Sequence, residues 1–509
     1  ARVPLLGVKR LADALDQRFR LLTSGVRGAA PRQQTLRGAL EWSHGLLSPA
    51  EQAVFRRMGV FAGSFSLELA QRVAGTDQLN EWTVADALAV LIDRSLVSVD
   101  GEEPPRYRLL ETPRAFALEQ LAAAGEAVAV RQRHAGAVCA LFEDAQADYF
   151  SGQQGIDDWN RRLAPDLDNG QEALGWALEH DSPSAVVLAV DLALALASTQ
   201  MHEARRVLEA TAALVTETLP LALQARWLTE AAYVWIASQP ARALKFARRA
   251  AALHRALDDR RGLYRSLGLL VSCNPNEPHD QQRCVLAEMQ ALEDPAWPAI
   301  LRARGASATA VVLVAEGRAE EAIAWRKKRE ALYEQAGNLT QLGLGQASLM
   351  DTELAAGRID DAIQRGIALE AQLRGSRQMS ALPFAALNLT AAWLAKGDAV
   401  AARALAQTYW PMALQLDMQA YWADYLALMA ALEGRPVAAA RLLGFGDAGY
   451  AAKEYTREIN EAQAVQRTER IARERLDEAA FKRLRAAGAA LHDDEIAALA
   501  FAVQDDAAG

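Results

Sequence analysis

The sequence predicts a mainly α-helical protein, in which a short winged-helix-like domain with one β-hairpin is followed by an α-solenoid of paired helices. Three observations lead to this fold class. Alanine and leucine are abundant and apolar residues recur at three- and four-residue spacing, as in amphipathic helices. A strand pattern is confined to residues 95–111. A glycine-containing phrase returns about every forty residues, a period typical of stacked repeats.

Composition limits the functional classes. The 509 residues are 51% hydrophobic and 23% charged, which is ordinary for a folded protein. A net charge of −9 argues against a general binder of nucleic acid or anionic membranes. Cys139, Cys273 and Cys284 are too few and too scattered for a disulfide framework or a zinc site. Because no signal peptide or bilayer-spanning apolar run is visible, we expect a cytoplasmic location and no membrane partner.

The first predicted elements are helices with marked starts. Residues 8–22 have the spacing of one amphipathic helix. In "SPAE", the Ser48 hydroxyl and the Glu51 carboxylate form a predicted capping box, with proline at the first helical position. The phrase "TVAD" predicts a second start of the same kind, with Thr83 as the cap.

A hairpin and a closing helix complete the predicted winged-helix-like domain, residues 33–125. Leu96–Val99 and Tyr107–Leu110 are predicted strands on either side of the turn "DGEEPP". The closing helix is expected to have Thr112 as its cap and Gly125 as its stop.

Beyond this domain the sequence predicts helices only. Residues 126–185 are predicted as a helical connector, with helices around Trp159 and Trp176. Residues 186–455 are predicted as helical repeats of the tetratricopeptide (TPR) kind, and 456–509 as capping helices with a tail.

The recurring phrase explains the repeats. It occurs as "AEGRAEEA", "AAGRIDDA", "AKGDAVAA" and "LEGRPVAA", with its glycine at Gly317, Gly357, Gly397 and Gly434. Glycine enters the left-handed conformation without strain, so each glycine is predicted to end a helix. An alanine five residues later lets the second helix of a pair cross close to the first. We therefore predict about seven antiparallel helix pairs, curved into a superhelix with a concave face.

One motif raises the possibility of an enzyme. "GFGDAG", with Gly444, Gly446 and Gly449, matches a dinucleotide-binding fingerprint. That fingerprint requires a preceding strand, whereas the preceding "AAARLL" is helical, so a glycine-rich repeat helix is the favoured interpretation. No Gly-Lys pair exists, which rules out a phosphate-binding loop in this sequence. We predict no catalytic, cofactor-binding or metal-binding residues, and a chain that is not itself an enzyme.

Charge argues against DNA binding by the winged-helix-like domain. Residues 31–125 contain nine arginines, no lysine and twelve acids, which gives −3. The helix that would enter the DNA groove, about 83–94, carries Asp86 and Asp93 and only one cation, Arg94. We therefore predict a packing module and no direct nucleic-acid contact from this chain.

Several stretches resemble a known family. They are "LADALDQRFRLLTSG", "PRQQTLRGALEWSHGLLSPAEQAVFRRMGVFAGSFSLELAQRVAG", "LIDRSLV", "RYRLLETPRAFALEQL", "DWNRRLAPDLDNGQEALGWALEHD" and "ARLLGFGDAGYAA". They resemble the region after the nucleotide-binding domain in bacterial STAND-class signal-transduction ATPases, which are often transcriptional regulators. The resemblance is specific to about residue 180 and diffuse across the repeats.

The resemblance implies a nucleotide-gated switch of which this chain is the C-terminal half. Residues 1–32 would be a helical remnant adjoining a missing NTPase domain, and ATP or ADP with Mg would be bound only there. Related switches place a Met-His-Asp phrase, whose histidine contacts the nucleotide, where this chain has Leu109-Leu110-Glu111. Nucleotide contact from this domain is therefore not expected.

Two main hypotheses remain from the sequence. The first is the regulatory or sensor half of a nucleotide-dependent switch, which binds a protein or small-molecule inducer on its repeats. Its partner would be its own or an associated NTPase domain, and a ligand-dependent oligomer would be one of its states. The alternative is a stand-alone helical-repeat scaffold for protein interactions.

Overall fold

The computed structural model describes residues 36–101, 103–273, 278–375 and 381–504. Its described residues form two compact units: unit one is 36–145 with 161–192, and unit two is 146–160 with 193–504. The predicted helix over 8–22 lies outside the described residues, as does nearly all of the predicted tail. The five-segment division of the chain stays a prediction.

Unit one contains a winged helix. Its elements are α1 (Leu36–Gly45), α2 (Pro49–Met58), α3 (Leu67–Ala74), α4 (Glu81–Asp93), β1 (Ser98–Asp100), β2 (Arg106–Arg108) and α5 (Glu111–Ala123). The two strands pair antiparallel, with Val99 opposite Tyr107. Helices, a two-stranded wing and a closing helix follow in the order predicted.

The helix starts confirm one cap and correct two. At α2, the Ser48 Oγ accepts a hydrogen bond from the Glu51 N–H, and the Glu51 carboxylate accepts one from the Ser48 N–H at 2.7 Å. The prediction of Thr83 as a cap is wrong, because the side-chain Oδ1 of Asn80 accepts from the Thr83 N–H at 2.9 Å. Asparagine is among the strongest helix caps, so α4 begins before the "TVAD" phrase.

The hairpin and closing helix also differ in their bounds. The strands are shorter than predicted, since Leu96 and Val97 lie in the turn after α4. Thr112 is not a cap, because α5 begins one residue earlier and an extended Leu110 precedes it. Gly125 has φ +70°, which confirms the predicted stop.

An aromatic core holds the winged helix together. Phe55, Phe61, Phe65 and Phe116 are each at most 2% exposed. The rings of Phe61 and Phe65 stack with centroids 4.2 Å apart. Full burial of one such side chain is worth about 1.5–3 kcal/mol, so these four side chains are a large part of the stability of this domain.

Four helices follow the winged helix, and three of them cross the boundary between the two units. They are α6 (Ala127–Tyr149), α7 (Ile156–Leu163), α8 (Leu167–His180) and α9 (Ser182–Leu196), with a 3₁₀ turn at Ala164–Asp166. The buried Asn169 amide accepts from the Ala62 N–H at 3.1 Å and donates to the Ser64 carbonyl at 2.7 Å. Arg106 of the wing forms an ion pair with Asp166 at 2.6 Å. These bonds make α8 part of the same folded unit as the wing.

Unit two is built from helix pairs. After α10 (Met201–Thr211) and a 3₁₀ turn at Ala212–Leu214 come α11 (Leu221–Trp235), α12 (Pro240–Ala256), α13 (Arg260–Cys273), α14 (His279–Leu292), α15 (Ala299–Ala315), α16 (Ala319–Gln335), α17 (Leu339–Ala355), α18 (Ile359–Arg374), α19 (Leu382–Lys396), α20 (Ala399–Gln415), α21 (Gln419–Leu432) and α22 (Pro436–Ala452). Three more helices follow: α23 (Ile459–Arg473), α24 (Glu478–Gly488) and α25 (Asp493–Phe501). From α11 to α22, odd-numbered helices are the first members of pairs and even-numbered helices the second.

The helices stack as in an α-solenoid. Each helix from α11 to α22 packs on its successor, and first helices also pack on first helices, as in α11 with α13 and α19 with α21. These six packed pairs confirm the predicted solenoid. The seventh predicted pair would be α9 with α10, but α9 crosses from unit one into unit two.

The turn chemistry is as predicted. The glycines between the paired helices, Gly317, Gly357, Gly397 and Gly434, have φ between +75° and +92°. The alanines five residues further on, Ala322, Ala362, Ala402 and Ala439, are each 0% exposed. Glycine therefore ends the first helix, and alanine lets the second helix approach closely. Among the described residues, no helix is long and apolar enough to cross a bilayer.

Candidate functional site

The glycine-rich motif is a packing device within α22. All of "GFGDAG" is helical, and helix precedes it, so the strand that a dinucleotide site needs is not there. A Cβ on Gly444 would lie 1.8 Å from the Arg485 carbonyl oxygen, and one on Gly488 would lie 1.9 Å from the Arg441 oxygen. The two glycines thus allow α22 and α24 to touch backbone to backbone. The motif is explained by helix packing.

No constellation for metal chemistry is found in the described part of the chain. No three histidine, cysteine, aspartate or glutamate side chains come together there as a metal-binding group. Burial raises the pKa of the Cys273 thiol to about 12, which disfavours the reactive thiolate.

The repeats curl so that their first helices face inward. The Gln341 amide of α17 donates to the Tyr233 hydroxyl of α11 at 3.1 Å, although two complete pairs lie between the pairs to which these helices belong. The Tyr421 hydroxyl of α21 donates to the Ala237 carbonyl, just after α11, at 3.1 Å. We call the side of the first helices that points into this curl the inner face.

A segment of the chain itself covers part of the inner face. Residues 146–160 belong to unit two and run along successive first helices. The Gln146 side-chain oxygen accepts from Arg226 of α11 at 2.8 Å. The Ile156 N–H donates to the Ala336 carbonyl at 2.9 Å, just before α17. The inner face is therefore partly occupied by its own chain.

Arginine and tyrosine side chains gather beneath this segment. The Arg304 guanidinium lies 5.7 Å from the ring centroid of Tyr233, and its Nε has no hydrogen-bond partner among the described residues. Burial raises the pKa values of Tyr149 and Tyr233. Arg265 pairs with the buried Glu230 and lies 4.8 Å from the Phe150 ring centroid. The inner face here is polar and partly desolvated, and such surfaces are typical of binding sites.

A second polar cluster lies where α23 crosses α17 and α21. The Asn460 amide donates to the Asp351 carboxylate at 2.6 Å, and the Tyr425 hydroxyl donates to Glu461 at 3.0 Å. Burial, and then the charges of Asp351 and Glu458, raise the pKa of Glu461 to about 8. Burial also raises the pKa values of Asp351 and Glu458. The charge of Arg326 lowers the pKa values of Asp351 and Glu458, but burial outweighs it.

The outward side of α4 in the winged helix is acidic and aromatic. Glu81, Trp82, Asp86 and Asp93 are exposed, and Trp82 is 80% exposed. None of these side chains pairs with phosphate, and the acids would repel it.

The arginines of the wing are engaged in ion pairs. Arg106 contacts Asp166, and Arg108 contacts Asp100 of the facing strand at 3.1 Å. The charges that a DNA-binding wing would use for phosphate are therefore neutralised within unit one.

Comparison with known proteins agrees with this winged helix. A family described as "Winged helix-turn-helix domain" matches residues 47–122. A "Putative HTH-type transcriptional regulator" of Mycobacterium tuberculosis is 41% identical over 181 residues, which are 35% of this chain and 20% of that protein. A Mycobacterium bovis protein with the same description has the same identity and coverage. The segment 47–122 is a winged helix-turn-helix domain, and the chain spans about a fifth of the length of these relatives.

Two further similarities are more limited. An "Uncharacterized protein" of Mycobacterium tuberculosis is 38% identical over 136 residues, which cover 26% of this chain and 35% of the other. A solved STAND protein with a tetratricopeptide repeat sensor from Pyrococcus horikoshii aligns over 96% of this chain and 73% of its own, with 11% identity and a TM-score of 0.43. The resemblance to transcriptional regulators, noted from the sequence, is confirmed by the winged helix-turn-helix match and by the description of the mycobacterial relatives.

The sequence predicts no site residues, and the inner-face clusters are found only in the structure. One signal was present in "SLMDTELAAG", where Asp351 and Glu353 interrupt the apolar residues of a first helix. Charged residues on a helix face that packing should bury are a marker of function. The tyrosines and arginines that join them come from helices far apart in sequence, which spacing alone does not reveal.

Proposed function

We propose that this chain is the regulatory half of a nucleotide-dependent switch that controls transcription, and that its repeats sense an inducer. The single observation that carries the proposal is the joining of two parts in one chain. One is a winged helix whose relatives are described as HTH-type transcriptional regulators. The other is a solenoid whose inner face gathers polar side chains without full partners.

The winged helix would act as the coupling module. Its α4 presents Trp82 between acids, which suits a protein surface with an apolar groove and basic rim. An NTPase domain, on the same polypeptide or associated with it, is the proposed partner. Inducer binding would shift the population between a closed and an open assembly, with ligand-dependent oligomerisation as one outcome.

This chain would itself catalyse nothing. ATP or ADP with Mg would belong to the NTPase domain, because no phosphate-binding loop occurs in the 509 residues. A cytoplasmic location is part of the proposal, since a transcription switch must meet nucleotides and the genome.

The test uses a polypeptide that joins this chain to an upstream NTPase region. ATP turnover and oligomeric state would be measured with and without residues 221–452. We expect loss of the repeats to change both, because they bias the switch. Unchanged turnover and assembly would favour the alternative, a stand-alone interaction scaffold.

Direct DNA contact is a second candidate, favoured by the match to a helix-turn-helix family. It would be tested by fluorescence anisotropy of this chain on random-sequence duplex DNA at low salt. The acidic α4 and the paired wing arginines lead us to expect no saturable binding. Saturable binding that weakens steeply with salt, and that is lost in Arg94→Ala, would establish DNA contact instead.

A further inference from the structure

A cavity of about 660 Å³ lies between the first and the last helix pairs of unit two. One wall is the turn from α11 to α12 with the start of α12, and the other is formed by the start of α21, the end of α22 and the start of α25. Cavities of about 300–1,000 Å³ are the size that binds small molecules. The cavity therefore has room for a ligand.

The charges of the cavity are divided between its walls. Arg242 and Lys245 project from α12, while Asp417, Glu454 and Asp493 lie on the opposite side. The cavity is dipolar, so a purely anionic or purely cationic ligand would meet like charge at one end.

Some of these charges are already engaged and others are free to bind. Lys453 of the second wall pairs with Asp417 at 2.6 Å, and Arg242 pairs with Glu209 at 3.1 Å while stacking 4.4 Å from the Trp235 ring centroid. By contrast, Lys245 and Glu454 are exposed, and their side chains make no ion pair or hydrogen bond in the described part of the chain. One free cation and one free anion thus face the same space.

Two buried polar atoms in the lining have no partner among the described residues. They are the Ser238 hydroxyl oxygen on one wall and the Gln419 amide oxygen on the other. Buried polar groups in folded proteins are nearly always hydrogen-bonded to protein, water or ligand, so these two atoms are available to a bound ligand. Ser238 can donate or accept, and the Gln419 oxygen accepts from an N–H.

The cavity also lies where the solenoid closes. The bond from the Tyr421 hydroxyl to the Ala237 carbonyl joins the same two walls at 3.1 Å. A ligand that bridges the walls would stabilise this closed arrangement, because it binds the closed state more tightly than an open one.

We propose that this cavity binds a short peptide with free termini. The ligand's carboxylate would pair with Lys245 beside Arg242, and its ammonium group with Glu454 and Asp493. Its peptide N–H and C=O groups would satisfy the Gln419 oxygen and the Ser238 hydroxyl. The proposal rests on the proposed function, because it identifies the class of inducer that the repeats would sense.

The experiment is a thermal-shift titration of the 509-residue chain with a randomised tripeptide mixture that has free termini. The same mixture, acetylated and amidated, is the matched control ligand. We expect the free mixture to raise the Tm and the capped mixture to leave it unchanged. No shift with the free mixture, or an equal shift with the capped one, would overturn the proposal.

Charge-neutralising variants then locate the site. Lys245→Gln and Glu454→Gln change exposed side chains, so their Tm without peptide should equal that of the parent chain. We expect each to raise the half-saturating peptide concentration at least tenfold. Lys327→Gln, at an exposed lysine outside the cavity, should leave it unchanged. Equal half-saturation in all variants would place the peptide elsewhere and contradict the proposal.

The outcome is separable from that of the proposed function. If the peptide binds at this cavity but ATP turnover does not depend on the repeats, the proposed binding site stands and the proposed switch function is wrong. A repeat-dependent switch without peptide binding would do the reverse.

Discussion

The winged-helix unit lowers the pKa of one of its glutamates, whereas the repeat unit raises the pKa of another. In unit one, Glu126 is partly buried, which raises its pKa, but hydrogen bonds from Arg57 and Arg56 outweigh burial and lower the pKa to about 2. In unit two, burial and the nearby charge of Asp351 raise the pKa of Glu461 to about 8, because no cation offsets them. The ion pairs of Glu126 stabilise the fold of unit one. The buried Glu461, which has no such partner, lowers the stability of unit two when it is ionised. Unmatched groups of this kind are expected where a protein binds something.

The largest expected effect tests whether the winged helix has a hydrophobic core that unfolds independently of unit two. Phe55→Ala removes a fully buried ring from the winged helix and should cost about 3–5 kcal/mol of unfolding free energy. Hydrogen exchange would show the loss in residues 47–122, with slow amides of α19–α22 unchanged. Equal loss of protection in both regions would mean that the two units unfold as one.

A second substitution tests close helix packing in unit two. Gly488→Ala would place a Cβ 1.9 Å from the Arg441 carbonyl oxygen, so α22 and α24 must separate, at a cost of about 1–3 kcal/mol in urea unfolding. The matched control is Gly175→Ala in α8, where no atom lies within 4 Å of the added methyl group. That change should stabilise by about 0.5–1 kcal/mol, because alanine favours helix over glycine. Destabilisation of similar size at both positions would refute the packing explanation of "GFGDAG".

The pH dependence of stability should have opposite sign in the two units. Glu126 has a lowered pKa, so its contribution is present above the unfolded value near 4.5 and is lost as pH falls towards 2. Glu461 has a raised pKa, so the folded state holds a proton that the unfolded state releases between about 4.5 and 8, and stability falls as pH rises through that window.

The decline in unit two is measurable by hydrogen exchange between pH 5 and 8, where the contribution of Glu126 is constant. Glu461→Gln should make the decline with pH in unit two shallower, because glutamine resembles the protonated acid and Asp351 and Glu458 still titrate. Glu126→Gln should not alter that decline. If the Glu461→Gln variant kept the full slope, Glu461 would not be one of its sources.

The smallest expected effect on stability distinguishes a docking residue from a core residue. Trp82→Ala removes a side chain that is 80% exposed and should change the unfolding free energy by at most about 0.5 kcal/mol. The same variant should weaken association with an upstream NTPase region at least tenfold in pull-down titrations. Full association together with unchanged stability would remove α4 as the docking surface.

The sequence predicts the fold well wherever local chemistry decides it. The turn after α19 needs a positive φ, which glycine at Gly397 adopts without strain. Ala402 is small because another helix crosses there. The Thr83 prediction failed because the competing cap, Asn80, lies three residues earlier and local rules do not rank the two.

The candidate sites could not be predicted in this way. Lys245 and Glu454 face one cavity only because the solenoid closes through Tyr421 and Ala237, and closure depends on the small rotations of every intervening pair. Sequence spacing gives the period of the repeats, but it does not give the accumulated curvature.

The central claim is that the repeats recognise a ligand while the winged helix couples to an NTPase domain. Its most direct test is hydrogen exchange of this chain with and without the free-terminus tripeptide mixture. The account predicts added protection at residues 237–245, 417–421 and 453–454, with residues 36–125 unaffected. Protection confined to 36–125, or no protection at the closure of the solenoid, would contradict it.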